Sequence, residues 1–250
     1  MLLRKSCHCG RWVDLKQLVP EFDAFLEANP LPVPKIRPPG DPTGAELLGA
    51  RLVGRWKSGA PVDLTPLRDD PKLARSQDFR FDQKNQERCP FAAHIRKTNP
   101  RSDLPPNATE PFRILRRGIA FGPEVTKEEK AAKKSSNDPK LERGLLFVCY
   151  QSNLGNGFHF IQQTWANNKN FPPTNASDPN VPEPGIDPII GVGTPREMVG
   201  ASPDPLKANE KLDFMAKWVI PRGGEYFFSP SIPALKNTFA APGRPGRHEL

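Results

Sequence analysis

The chain has 250 residues, and its 36 Lys and Arg outnumber its 28 Asp and Glu to give a formal net charge of +8 and a pI near 9.4. Hydrophobic residues make up 36%, enough for a sizeable core, while 31 prolines, more than twice the usual share of about 5%, predict long irregular connections. The basic residues are spread along the chain with no nucleic-acid-binding motif, and the longest apolar stretch, Gly144–Tyr150, falls far short of the roughly 20 residues that span a bilayer, so neither nucleic acid nor a membrane is expected as a partner.

In chain order, residues 1–14 read as an atypical start. Cys7-His8-Cys9 is spaced too tightly for a zinc knuckle, and no apolar core of about 7–15 residues marks a signal peptide. Residues 15–28 carry Leu15, Leu18, Val19, Phe22, Phe25 and Leu26 at helical spacing and predict an amphipathic helix, ended by a proline series that begins at Pro30. A second helix is predicted from Thr43 to Trp56, stopped by Ser58-Gly-Ala-Pro61. Residues 69–86 read as polar loop apart from Phe79-Arg-Phe81. The mixed-charge run Lys127–Lys134 reads as a solvated loop or short surface helix. Gly144–Gln151 is the clearest strand, and Gly157–Asn167 predicts a helix. After the Pro- and Asn-rich 168–212, two strands at Phe214–Ile220 and Glu225–Phe228 are predicted to form a hairpin through Pro221-Arg-Gly-Gly224. The last residues, 238–250, read as a disordered tail, leaving 15–237 as the folded domain. The irregular alternation of helices and strands gives an α+β class. Asn107-Ala-Thr109 and Asn175-Ala-Ser177 are glycosylation sequons, which would fit a secreted parent.

The chemistry concentrates around two runs, Cys89-Pro-Phe-Ala-Ala-His-Ile-Arg-Lys-Thr-Asn-Pro-Arg101 and Arg113-Ile-Leu-Arg-Arg-Gly-Ile119. A histidine with small apolar residues on one side and several cations on the other can hold a metal in a dry pocket while the cations hold an anionic group at its rim. That is the specification of a haem site, with an imidazole on iron and Arg or Lys on the propionates. His94 is therefore the expected metal ligand, with Arg96, Lys97 and Arg101 as the cations, and Asn99-Pro100 supplies a turn that can bring Arg101 back toward the site. His159, between two phenylalanines, reads as a packing residue, and Cys89 and Cys149 as packed thiols.

Together these runs resemble the proximal-histidine and distal-arginine motifs of the fungal dye-decolourising peroxidases. The resemblance implies a C-terminal, ferredoxin-like antiparallel sheet with packed helices, one half of a dimeric α+β barrel-type haem peroxidase. It implies one haem b per chain, with His94 as axial ligand and Arg116 as distal arginine, Arg117 being its competitor. Asp187 resembles the carboxylate that orients the proximal imidazole, and it also reads as a turn aspartate before Pro188. Leu145 and Phe147 resemble the apolar pair lining the distal pocket. Trp165 resembles a surface tryptophan that passes electrons from bulky reductants. The implied partners are hydrogen peroxide and an organic reductant such as a dye or phenolic, with oligomeric state undetermined. The family's distal acid-base residue lies in a Gly-x-x-Asp-Gly motif, which this sequence lacks, as though the N-terminal half were absent. A non-catalytic haem-binding remnant and a basic anion-binding protein are the alternatives.

Overall fold

The computed structural model describes residues 2–4, 19–33, 41–173, 183–193 and 195–240. Strand β1 (Leu2–Arg4) precedes helix α1 (Pro20–Ala28), in which Pro20 occupies the first turn, where its missing N–H costs nothing, and Phe22 and Leu26 are buried one turn apart. The predicted start of this helix, residues 15–18, lies outside the described residues, as do Cys7, His8, Cys9, Asn175 and His248. Helix α2 (Gly44–Val53) begins with a capping box: Thr43 Oγ1 accepts from the Glu46 N–H at 3.1 Å and Glu46 Oε2 accepts from the Thr43 N–H at 3.0 Å. It ends at Gly54 rather than Trp56. Gly54 takes φ +91°, and a β-carbon there would lie 2.4 Å from Ile95 Cγ1, so backbone conformation and packing both require glycine.

One residue of α2 ties the molecule together. Arg51 is fully buried with no carboxylate partner among the described residues, and its guanidinium donates to the carbonyls of Gln86, Glu87, Arg88, Gly200, Ala201 and Ser202 at 2.7–3.3 Å. Burial lowers its pKa to about 10, which leaves it charged at neutral pH. Two loops more than a hundred residues apart are thereby held on one helix.

Short helix α3 (His94–Thr98) carries the histidine. Strands β2 (Leu115–Arg116) and β3 (Ile119–Phe121) follow, then α4 (Lys127–Ala132), β4 (Gly144–Leu146) and β5 (Cys149–Tyr150). The single strand predicted over 144–151 is thus interrupted, yet its register is continuous. Leu115 opposes Tyr150, Arg117 N–H donates to Val148 O at 2.8 Å, and Ile119 opposes Leu146, so one antiparallel ladder bends around Gly118. A β-carbon on Gly118 would come within 3.2 Å of Leu145 Cδ1 and Leu146 O.

Helix α5 (Phe158–Phe160) continues as a π-helix over Ile161–Ala166. The loop-like reading of 168–212 missed an antiparallel pair, β6 (Glu197–Val199) with β7 (Lys211–Asp213). The predicted hairpin at 221–224 does not form. Instead Ile220–Gly223 is itself a strand, β8, and Gly223 has no left-handed φ with which to turn. Phe214 and Trp218 enter the core while Tyr226, Phe227 and Phe228 lie on the surface. Helix α6 (Ile232–Ala234) runs into a π-helical stretch, Leu235–Phe239, so Thr238 and Phe239 of the predicted tail are ordered; residues 241–250 lie outside the described set.

The main sheet has the order β3-β4-β1-β8 and is antiparallel throughout, so part of the predicted atypical start forms an interior strand. Helices pack beside small antiparallel sheets, the expected α+β architecture. The largest core joins α1 and α2 to the 214–219 segment, where Phe22 and Phe25 each meet Trp218 at 5.3 Å between ring centroids. No helix among the described residues is long and apolar enough to cross a membrane.

Arg51→Met keeps the stem of the side chain but leaves six carbonyls without their donor, and each buried acceptor left unmet costs about 1–3 kcal/mol before water compensates. Urea unfolding is expected to show a loss of at least about 3 kcal/mol. An unchanged midpoint would mean that the guanidinium is not what joins these loops.

Candidate active site

His94 opens α3 directly after the buried Ala92 and Ala93, whose small side chains let the helix sit deep in the molecule. The imidazole is fully buried, and its Nδ1 lies 2.8 Å from Oδ2 of an equally buried Asp187. Asp187 is held in turn. Its Oδ1 accepts from the N–H groups of Ile189 and Ile190 at 2.8 and 3.0 Å, its own N–H donates to Ala166 O, and its carbonyl accepts from Gly191 N–H. Both readings of Asp187 are therefore met at once, a turn aspartate on one oxygen and a histidine partner on the other. Burial alone would raise its pKa, but the charge and hydrogen bond of His94 and the two backbone N–H groups outweigh that and lower it. With the carboxylate ionised it can only accept, so Nδ1 is the donor of the pair.

His94 lines a cavity of about 460 Å³, within the range of sites for cofactors and small organic molecules. Phe112, Ile114, Phe147, Phe158, Ile161 and Trp165 supply much of its apolar wall, with Ile190, Val192, Val219 and Pro221 closing it. Among the described residues its cations are Arg101, Arg113 and Arg116, and no carboxylate lines it. Burial lowers the pKa of Arg101, and the like charge of Arg113 lowers it further. The guanidiniums of Arg113 and Arg116 make no ion pair among the described residues. Uncompensated cations around an apolar hollow provide an anion-binding rim.

Of the residues expected from sequence, the structure brings His94, Arg101, Arg116, Phe147 and Trp165 to this cavity and Asp187 behind it. Three others lie elsewhere. Arg96 points inward and is fully buried, paired through two nitrogens with Asp103 at 2.6 and 2.7 Å, bonded to the carbonyls of Asp82, Asn85 and Cys89, and stacked over Phe81 and Phe91. Its donors are consumed within the protein, so it braces the loop under α3 rather than reaching an anion at the rim. Lys97 is likewise buried, its Nζ donating to Asn168 O at 2.6 Å and Trp165 O at 3.4 Å, and burial lowers its pKa to about 7. Leu145 is buried beside Gly118 and is not part of the wall.

Trp165, expected on the surface, is 4% exposed and stacks on Phe171 at 5.2 Å, with Phe112 and Phe160 at 5.4 Å on its other sides. His159 shows the reverse: expected in the packing, it lies on the surface. Arg117 is separated from Arg116 by strand alternation and lies outside the cavity wall, its guanidinium turned back to Arg116 O. Arg113 was given no role from sequence, although its place three residues before Arg116 in the same basic run was the available signal.

Known proteins resemble this chain in sequence and in fold. Residues 50–172 match the family model described as Dyp-type peroxidase, C-terminal. The chain is 48% identical over 242 residues to the dye-decolorizing peroxidase msp1 of Mycetinis scorodonius, an alignment that covers 90% of this chain and 45% of that protein. Among solved structures it is similar to an ancestral D-type dye decolorizing peroxidase, with a TM-score of 0.78 and 56% identity, covering 90% of this chain and 50% of that one. It also resembles a dye-decolorizing peroxidase in complex with 2,6-dimethoxyphenol, with a TM-score of 0.76, 47% identity and the same coverage. The chain spans about half the length of the relatives it matches. It belongs to the dye-decolourising peroxidase family, matching the C-terminal part of that family's fungal members.

Proposed function

We propose that the cavity holds haem b, one per chain, and that the chain serves a hydrogen-peroxide-dependent peroxidase acting on dyes, phenolics or similar reductants. The observation that carries this reading is the buried His94–Asp187 pair beneath an apolar cavity lined by three arginines and no carboxylate. The donor set fits the group. An imidazole with its second nitrogen on a carboxylate is the usual form of a metal-bound histidine, apolar walls suit a macrocycle, and arginines suit its two propionates. When bound, haem supplies the redox iron at which hydrogen peroxide is reduced to water with two electrons from the reductant.

In this reading His94 would hold the iron through Nε2. Asp187 fixes the ring's tautomer and orientation and makes the imidazole a stronger donor. Arg101 and Arg113 would hold the propionates, and Arg116 would stabilise negative charge developing on peroxide oxygen. Phe147 and Phe158, 5.4 Å apart, narrow the approach and exclude water. Trp165, in the wall and stacked among Phe112, Phe160 and Phe171, gives electrons a path through aromatic contacts from reductants too large to enter. The relative solved in complex with 2,6-dimethoxyphenol supports phenolics among the reductants.

One observation favours the second reading, a haem-binding chain without turnover. Moving a proton between the peroxide oxygens calls for an acid-base group, and neither a Gly-x-x-Asp-Gly motif in the sequence nor a carboxylate in the described cavity wall provides one. Its absence costs about 10²–10⁴-fold in rate.

Haemin titrated into the purified chain is expected to give a Soret band that saturates at one equivalent and is lost in His94→Ala. Loss of haem binding in Arg113→Ala with full binding in His94→Ala would instead favour a basic anion-binding protein. Arg116→Leu is expected to keep the Soret band and slow peroxide-dependent dye oxidation by about 10²–10³-fold. If the wild-type chain loaded with haem oxidises dye no faster than free haem, the non-catalytic reading stands.

A further inference from the structure

The loop over residues 69–86 holds one buried aromatic pair, Phe79 and Phe81, whose rings meet edge to face at 5.5 Å. Two arginines converge on the first of these rings. The guanidinium carbon of Arg101 lies 4.0 Å from the Phe79 centroid, and that of Arg55 lies 5.4 Å from it. Exposed Gln77 joins the same two side chains. Its Oε1 accepts from Arg55 Nη2 at 3.0 Å and from Arg101 Nη2 at 3.2 Å, and its carbonyl accepts from Arg101 Nη1 at 2.8 Å. Two guanidinium donors converging on one side-chain amide atom require that atom to be the oxygen.

The two arginines differ in what is left to them. Arg55 is buried, and its Nη1 donates to the carbonyls of Gly59 and Ser76. Arg101 lines the histidine cavity, and Gln77 leaves its Nε–H and one N–H on each terminal nitrogen for a ligand. Its backbone takes φ +50°, a left-handed conformation that residues other than glycine seldom adopt, so the surrounding contacts must hold it there. Asp63 and Asp78 act on Arg101 through their charge, but neither forms an ion pair with it among the described residues. The side-chain acceptor that grips it is neutral. A carboxylate at position 77 would bind both guanidiniums more strongly, and would cancel charge at the cavity.

We propose that Gln77 is a positioning residue for the cavity's anion: its neutral amide oxygen fixes the Arg101 guanidinium at the rim and leaves that cation's charge to a ligand carboxylate. Gln77 does not itself line the cavity, so it acts through Arg101. In the haem reading, on which the proposal rests, the carboxylate is a propionate.

Protoporphyrin IX, which carries both propionates and no iron, titrated into the full chain separates this role from iron ligation. Gln77→Glu is expected to weaken its binding about tenfold and to leave binding of the protoporphyrin dimethyl ester unchanged. The urea midpoint of that variant is expected at or above the wild-type value, whereas a merely structural Gln77 would lower it and weaken diacid and diester alike. In an Arg101→Met background the same substitution is expected to change the Kd by less than about twofold. Failure of the haem reading shows separately, as a haemin Soret band that survives His94→Ala while the Gln77 effect on the diacid persists. No binding of the diacid to the wild-type chain, equal diacid affinity in Gln77→Glu, or a loss that appears equally with the diester or persists in full without Arg101 would overturn the proposal.

Discussion

The hydrogen bond between His94 Nδ1 and Asp187 Oδ2 is the contact on which the functional part of the molecule depends. Two ionisable side chains separated by 93 positions lie at 0% exposure, an arrangement that is stable only when every polar atom is accommodated. The structure meets that demand by giving Asp187 two backbone donors besides the histidine. The cost of burying the carboxylate is thereby offset, and its charge is kept where it acts on the imidazole. The same contact fixes the turn 187–191 against the end of the π-helix, through Asp187 N–H to Ala166 O, and so places Ile190 in the cavity wall. Position, tautomer and wall follow from one pair.

Around that pair, buried cations do structural work, and of the cavity-lining cations Arg101 is engaged as well, donating to Gln77 and stacked over Phe79, whereas Arg113 and Arg116 form no ion pair among the described residues. Arg51 and Arg96 are consumed by carbonyls and, for Arg96, by Asp103; Arg113 and Arg116 find no ion-pair partner among the described residues. A guanidinium whose donors are all met inside the protein contributes to stability and cannot recognise anything. One whose donors face a cavity without counter-ions can. This division makes a chain with a net charge of +8 intelligible without nucleic acid, since part of the excess is folded into the scaffold and part is gathered at the cavity.

Much of this was legible in the sequence where a local rule decided the outcome. The helix start at Thr43 was legible, and the apolar spacing of Phe22 and Leu26 sets the buried face of α1, whereas the end of α2 at Gly54, two residues before the expected Trp56, was not. His94 stood out by its neighbours, and Asp187 by resemblance. What sequence could not show was direction. Arg96 and Lys97 follow His94 in the chain, and on a five-residue helix they turn away from the cavity, because successive helical residues are about 100° apart. The strand over 144–151 was expected as one piece but is interrupted at Phe147–Val148, opposite Gly118 on its partner, a feature of the other strand. The glycines at 223–224 suggested a turn, but pairing of β8 in the sheet overrode that local preference, as tertiary contacts do for short strands.

The central claim is that His94 binds iron through Nε2 while Asp187 holds its other nitrogen. Resonance Raman spectroscopy of the ferrous, haem-loaded chain reads that bond directly as the iron–histidine stretch. The account predicts such a band in the native chain and a shift to lower frequency in Asp187→Asn, where a neutral amide replaces the carboxylate and the imidazole donates less strongly. A band at the same frequency in both proteins, or no iron–histidine band in the native chain, would contradict it.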